Sequence, residues 1–262
     1  MARIRIVIEY DGTDFHGWQV QPDKRTVQGE IEDALKRLTG KTVRITGAGR
    51  TDTGVHAVGQ VAHFDEVTDL PPAQVQKALN AMTRDDVYIR SIDRVDDGFH
   101  SRFSAISKTY CYTILRVPSP LRNRYAWYTS FVLDVSSMKK VIPCLTGTHD
   151  FKHFSVRNGD ENTECSIRNI AVTESRLELC ITIEGNRFLR RMMRGIVGYL
   201  CDVGRGRFAA QDTKAVLSGD AGDLYFAPAH GLMLTAVHYP AEYDTGSEQA
   251  NSARERPAAE QG

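Results

Sequence analysis

The first hundred residues alternate between strand-like and helix-like patterns, and their order strongly limits the possible folds. Polar and apolar residues alternate over 3–10, which predicts a strand. Apolar residues at helical spacing predict a helix over 26–38, and strand-like runs flank the glycine-rich loop around residue 52. A second predicted helix opens at Pro71-Pro72 and runs to about Met82, and a further strand covers 87–95. The order β-α-β-β-α-β is that of a ferredoxin-like unit.

The rest of the chain repeats this architecture without repeating the sequence. The predicted elements are strands at 109–117, 167–173, 177–184 and 232–239, and helices at 136–145, 187–203 and 211–217. We therefore predict an α+β protein of two ferredoxin-like (RRM-like) halves, residues 1–103 and 104–244. They would form one largely antiparallel mixed sheet, with a catalytic cleft between the halves. Residues 149–163 are predicted to form a long loop, and residues 245–262 a disordered tail.

Composition excludes several classes of protein. No apolar run reaches the length of a transmembrane helix, and no signal peptide precedes the first strand, so we expect a cytoplasmic protein that does not enter a membrane. The five cysteines contain no Cys-x-x-Cys pair, which indicates neither a disulfide framework nor a zinc site. Lys and Arg number 33 and Asp and Glu number 33, a balance that argues against non-specific coating of nucleic acid. A local basic groove remains compatible with this balance.

A glycine-rich loop surrounds a single acidic residue, Asp52. Gly47, Gly49 and Gly54 allow tight turns and the close approach of another molecule. The loop lacks the third glycine and following helix of a dinucleotide fingerprint, and it lacks the Gly-Lys-Ser/Thr of a P-loop. It is therefore either a simple turn or a loop that presents a carboxylate to a ligand.

The predicted helix at 187–203 combines an apolar face with several basic residues. The arginines form either a solvated face or a surface that binds phosphate or pairs with a carboxylate; they are Arg187, Arg190, Arg191 and Arg194. Gly195 and Gly198 thin the helix, which favours close packing against another backbone.

Several spaced motifs together resemble one family. They are Tyr-Asp-Gly at 10–12, Gly-Trp-Gln at 17–19, Thr-Val-Gln at 26–28, Gly-Arg-Thr-Asp-Thr-Gly-Val-His-Ala at 49–57, Phe-His-Ser-Arg-Phe-Ser-Ala at 99–105, Lys-Thr-Tyr-Cys-Tyr at 108–112, Phe-Leu-Arg-Arg-Met-Met-Arg at 188–194 and Ala-Pro-Ala-His-Gly-Leu at 227–232. In this order and over residues 3–240 they resemble the tRNA pseudouridine synthase A family.

The resemblance implies an enzyme that isomerises uridine to pseudouridine at positions 38, 39 and 40, in the anticodon stem-loop of tRNA. It implies a homodimer that uses no cofactor and no metal. By position in the motifs, Asp52 corresponds to the nucleophile, Tyr110 to the active-site tyrosine and Arg194 to the basic partner of the aspartate.

The chemistry of the reaction suits these residue types. A carboxylate acts as a nucleophile or assists loss of a ribose proton, and an arginine keeps it ionised without losing its own proton. The target base must leave the stack to reach Asp52. We expect Arg50 to hold the flipped nucleotide, and Thr51, His56 and Arg102 to contribute with Tyr110 to substrate binding. The alternative function is a non-catalytic RNA-binding or RNA-chaperone module that uses the same cleft.

Overall fold

Ten strands form one mixed sheet in the computed structural model, which describes residues 3–156, 162–220 and 222–243. The strands are β1 (Arg3–Tyr10), β2 (Thr46–Gly47), β3 (His56–Asp65), β4 (Val87–Val95), β5 (Ser107–Leu115), β6 (Trp127–Tyr128), β7 (Gly147–Asp150), β8 (Glu164–Glu174), β9 (Glu178–Gly185) and β10 (Leu232–His238). The α-helices are α1 (Val27–Thr39), α2 (Pro72–Met82), α3 (Val135–Leu145), α4 (Met192–Gly204) and α5 (Thr213–Ser218). In this part of the chain, no helix is both long and apolar enough to cross a membrane.

The strand order confirms the predicted fold class. It runs β4-β1-β3-β10-β5-β9-β8-β7, with β2 paired to β3 and β6 paired to β5. Only the β3–β10 and β5–β6 pairs are parallel among the described strands, so the sheet is largely antiparallel. Strands β1 to β4 lie in the order β4-β1-β3-β2, and the second half has the equivalent order β10-β5-β9-β8. The two ferredoxin-like units therefore join edge to edge through β3 and β10.

Local sequence explains the ends of α1. The Thr26 hydroxyl caps the helix by accepting from the Gly29 amide, and Gly40 ends it with a left-handed φ of 71°. Val27, Ile31 and Leu35 of the predicted helical face are fully buried, and Leu38 at its end is partly buried. The division of the chain at residues 103 and 104 stays a prediction, and the predicted tail at 245–262 lies outside the described residues.

Helix α4 is the central buried helix of the second half, and every residue in it except Arg194 is buried. The predicted close backbone packing at its glycines is confirmed. A Cβ atom on Gly195 would lie 2.3 Å from the Phe154 carbonyl oxygen, and one on Gly198 would lie 1.7 Å from the Tyr225 carbonyl oxygen.

The start predicted for this helix is wrong, because α4 begins at Met192 rather than at residue 187. Arg191 adopts a left-handed φ of 60°, which interrupts any helix from the preceding residues. The Arg190 carbonyl instead accepts a hydrogen bond from the Val156 amide at 2.9 Å. Arg187, Arg190 and Arg191 consequently lie on a non-helical segment between β9 and α4, and the predicted basic helix face does not form.

Two further predictions need correction. The segment at 149–163 is not one long loop, because residues 147–150 form edge strand β7 and Lys152–Phe154 form a 3₁₀ turn. In addition, a disulfide joins Cys111 of β5 to Cys180 of β9, with Cα atoms 6.5 Å apart. The cysteines are 69 residues apart in sequence, and they meet because β5 and β9 are adjacent strands.

Candidate active site

The loop that carries Asp52 connects β2 to β3 and is fixed by hydrogen bonds on both sides. The Gln60 amide donates to the Gly49 carbonyl at 2.9 Å, and the Trp18 amide donates to the Thr51 carbonyl at 3.1 Å. A turn at residues 52–55 closes the loop: the Val55 amide donates to the Asp52 carbonyl, with Gly54 at a φ of 78°. The loop therefore holds the Asp52 carboxylate in one place, with 29% of its side chain exposed.

Arg194 lies opposite Asp52, in the first turn of α4. Its Nη1 atom is 3.9 Å from Oδ2 of Asp52, and its Nε donates to the Ala227 carbonyl at 2.6 Å. Burial lowers the pKa of Arg194, and the negative charge of Asp52 opposes that change. A guanidinium remains protonated under such conditions, so it supplies a fixed positive charge beside the Asp52 carboxylate.

Tyr110 lies on β5, facing the same space. Its side chain is 6% exposed and packs edge-to-face against Phe188, with ring centroids 5.1 Å apart. Burial raises the pKa of Tyr110 above its ordinary value, and the nearby Tyr10 and Asp52 raise it further. The phenol therefore keeps its proton at neutral pH.

A cavity of about 950 Å³ lies between the two halves and has Asp52 and Tyr110 in its lining. Arg194 is outside the lining and reaches the cavity only through its approach to Asp52. The first half contributes the Asp52 loop, and the second contributes β5 and the segment before α4. Asp52 is the only carboxylate among the described residues that line the cavity. The cationic lining residues are Arg50, Arg102, Lys108, Arg187, Arg190 and Arg191. This distribution forms a basic groove around a single acid in a chain of zero net charge.

The other predicted binding residues have different surroundings. Arg50 and Arg102 are exposed and line the cavity, and Arg102 also lies over the Phe103 ring at 5.6 Å. Thr51 lines the cavity too, but its hydroxyl bonds to the buried Tyr10 hydroxyl at 2.8 Å. Thr51 therefore also anchors the loop to β1.

His56 is the one predicted binding residue that the structure keeps away from the cavity lining. Its side chain is buried at the start of β3, where Nδ1 accepts from the Gly12 amide at 3.0 Å. We assign the ring proton to Nε2, which lies 3.1 Å from the Arg124 carbonyl and donates to it. Burial lowers the pKa of His56, although the charge of Asp11 opposes this, so the neutral ring links the two halves of the chain.

A surface contact beside His56 was missed by the sequence analysis. Arg124 reaches Asp11 with an Nε–Oδ2 distance of 2.6 Å, and the Tyr125 hydroxyl donates to the same carboxylate at 2.9 Å. Although burial opposes the change, hydrogen bonds from Thr13 and Tyr125 lower the pKa of Asp11 to about 2. The segment that carries Arg124 thus fastens the second half to the first, and no local sequence pattern indicates its partner.

Lys108 is the cavity residue whose importance the sequence analysis overlooked. It belongs to the same motif as Tyr110, and residues two apart on a strand point to the same face. That spacing was the available signal that both side chains enter one cavity.

Comparisons with known proteins agree on one family. The family model described as tRNA pseudouridine synthase matches residues 6–104 and 142–240. A protein named tRNA pseudouridine synthase A from Listeria welshimeri is 42% identical over 247 residues, covering 91% of this chain and 100% of the relative. The protein of the same name from Brevibacillus brevis is 42% identical over 246 residues, covering 91% of this chain and 100% of the relative.

A third relative gives a similar match. The protein named tRNA pseudouridine synthase A from Maridesulfovibrio salexigens is 39% identical over 271 residues, covering 96% of this chain and 97% of that protein. Among solved structures, a chain of the archaeal box H/ACA sRNP Nop10–Cbf5 complex has a TM-score of 0.32 and 12% identity, over 75% of this chain and 53% of that one. This last likeness is too low to establish a fold.

Proposed function

Because this chain belongs to the tRNA pseudouridine synthase family, and is therefore an isomerase that acts on tRNA uridine, we propose that its targets are uridines 38, 39 and 40 of the anticodon stem-loop. Family membership favours the isomerase over the non-catalytic RNA-binding module. We extend the proposal to a cytoplasmic homodimer that needs neither metal nor cofactor.

The single observation that carries the mechanism is the pair formed by Asp52 and Arg194 at a basic cavity. A lone carboxylate among cations would weaken a surface that only had to bind a polyanion, because it repels phosphate. Its presence is understandable if the carboxylate reacts with the substrate. We assign Asp52 as the nucleophile and Arg194 as its basic partner.

The reaction exchanges one bond to the ribose for another. The C1′–N1 bond breaks as the Asp52 carboxylate attacks C1′; the uracil then rotates, and C5 bonds to C1′ while the carboxylate leaves. Removal of a ribose proton by the same carboxylate would also release the base, and both routes need Asp52 ionised. The C5 proton is finally lost and N1 gains one, so the product is an isomer of the substrate.

A base inside a stem cannot reach a carboxylate recessed in a cavity. We propose that the target nucleotide flips out of the stack, at a cost of a few kcal/mol. Stacking on an aromatic ring, typically worth about 1–3 kcal/mol per base, offsets this cost, and Tyr110 supplies the ring. Since its phenol is neutral, Tyr110 can accept the C5 proton only if it passes its own proton to water.

The test is to incubate the protein with unmodified tRNA and to map pseudouridine by carbodiimide labelling. We expect product at positions 38, 39 and 40, and we expect Asp52→Asn to lower the single-turnover rate by about four orders of magnitude or more. RNA affinity should change little, because the cations remain. Asp33→Asn, which alters an exposed carboxylate of α1, is the matched control and should keep the parent rate. A near-parent rate for Asp52→Asn would refute the nucleophile, and product at other positions would refute the target site.

A further inference from the structure

Lys108 is a buried lysine for which the described residues supply no counter-ion. Its side chain is 8% exposed on β5 and lines the cavity, where its Cε atom passes close to the backbone of Gly49. Within the described residues, its ammonium group makes no hydrogen bond and no ion pair. Lysines buried to this extent are normally paired, because a desolvated charge is costly.

The charges around Lys108 make its position less favourable still. Burial is the main cause that lowers the pKa of Lys108 to about 8, and the positive charges of Arg102 and Arg187 lower it further. Asp52 faces Arg194 at 3.9 Å and gives Lys108 no ion pair. Three cations thus lie around one part of the cavity, and no side chain of the described residues forms an ion pair with any of them.

RNA supplies a suitable anion. An ammonium group is a compact charge with three donors, and the guanidinium groups of Arg102 and Arg187 offer the planar fork that fits phosphate oxygens. Lys108 lies two residues from Tyr110 on the same strand face, about 7 Å along the strand. A base stacked on Tyr110 would therefore bring a neighbouring phosphate within reach of the lysine.

We infer that Lys108, together with Arg102 and Arg187, binds a backbone phosphodiester that flanks the flipped uridine. The inference rests on the proposed function, since it takes RNA as the ligand in this cavity. The phosphate replaces the water lost by the buried ammonium and fixes the sugar–phosphate backbone beside Asp52. Lys108 is thus a positioning residue, whose charge acts on the placement of the nucleotide.

The first test measures the affinity for an anticodon stem-loop RNA as a function of salt, with Asp52→Asn present throughout to prevent turnover. We expect Lys108→Met to weaken binding about tenfold and to make the slope of log K against log salt shallower by about 0.7 to 0.9, the loss of one phosphate contact. Lys77→Met, which removes an exposed lysine of α2, is the matched control and should change the slope little. Lys108→Arg keeps the charge and should retain most of the slope.

The second test locates the phosphate. Each linkage of the stem-loop is replaced in turn by an uncharged methylphosphonate, and binding is compared with and without Lys108→Met. Replacement of one linkage, beside the target uridine, should weaken RNA binding by the protein that retains Lys108. The same replacement should not change RNA binding by the Lys108→Met protein. An unchanged salt slope, or an equal effect of every linkage on both proteins, would overturn the inference.

The outcomes separate this inference from the proposed function. One outcome is a Lys108→Met protein that binds RNA with the parent affinity and salt slope but isomerises uridine more slowly. That result would show that the lysine acts on the base or the ribose, and it would overturn the inferred phosphate contact. If the protein formed no pseudouridine at positions 38 to 40, the proposed target would fail while both binding tests still decided the role of Lys108.

Discussion

Replacing Lys108 by methionine should stabilise the folded protein, because it removes an unpaired buried charge while keeping an apolar side chain of similar length. Burial and the charges of Arg102 and Arg187 lower the pKa of Lys108 from 10.5 to about 8. One pKa unit corresponds to about 1.4 kcal/mol, so the charged lysine costs the folded state about 3 kcal/mol at neutral pH. We therefore expect Lys108→Met to raise the free energy of unfolding by up to that amount.

The pH dependence gives this prediction a second check. Below pH 8 both the folded and the unfolded protein carry the charged lysine, so the full cost is present. As pH rises above 8 the folded protein loses this proton, while the unfolded chain keeps it until about pH 10.5. The advantage of Lys108→Met should therefore shrink to about 1 kcal/mol at pH 9.5 and vanish above pH 10.5.

The assay is urea unfolding at pH 7 and at pH 9.5, in buffers without phosphate so that no anion occupies the site. Lys77→Met, with an exposed side chain, should change stability by less than about 0.5 kcal/mol. A Lys108→Met protein that is no more stable than the parent at pH 7 would refute the reasoning. An advantage of the same size at both pH values would refute it too.

Three other substitutions test separate parts of the site and its support. Arg194→Met should lower the single-turnover rate of isomerisation by about 10² or more, because it removes the charge that faces Asp52; a parent rate would contradict the pairing. Tyr110→Phe should keep RNA affinity but lower the same rate by about 10² if the hydroxyl moves a proton, and an equal rate would leave stacking as its only role. Gly198→Ala should lower the free energy of unfolding by about 1 to 3 kcal/mol in urea, because the new Cβ meets the Tyr225 carbonyl, and unchanged stability would contradict that contact.

Patterns over short distances were sufficient to predict most elements. The periodicity of α1 and its Thr26 and Gly40 ends are local signals, and the structure follows them. Edge strand β7 was missed because its residues are mostly exposed and show no apolar alternation; it is held by backbone pairing to β8. The start of α4 was misplaced because Arg191 takes its left-handed conformation in a tertiary setting, beside the bond from Val156 to the Arg190 carbonyl.

Short-range sequence patterns were also insufficient to predict the surroundings of the candidate site. Motif resemblance brought Asp52, Tyr110 and Arg194 together, although 142 residues separate the first from the last. Nothing in the composition indicated that Lys108 would be buried without a partner, since its environment comes from segments distant in sequence. His56 is kept from the cavity lining by another segment distant in sequence, because the segment around Arg124 covers the His56 ring.

The position of β10 has a consequence for how this protein is made. It pairs with β3 on one side and β5 on the other, yet it is the last of the described strands. While a ribosome is still producing the preceding residues, the two half-sheets of the nascent chain each have an exposed edge and nothing between them. The cavity between the halves is therefore complete only after β10 has been translated, so copies that stop before β10 lack the full surface that we propose for RNA.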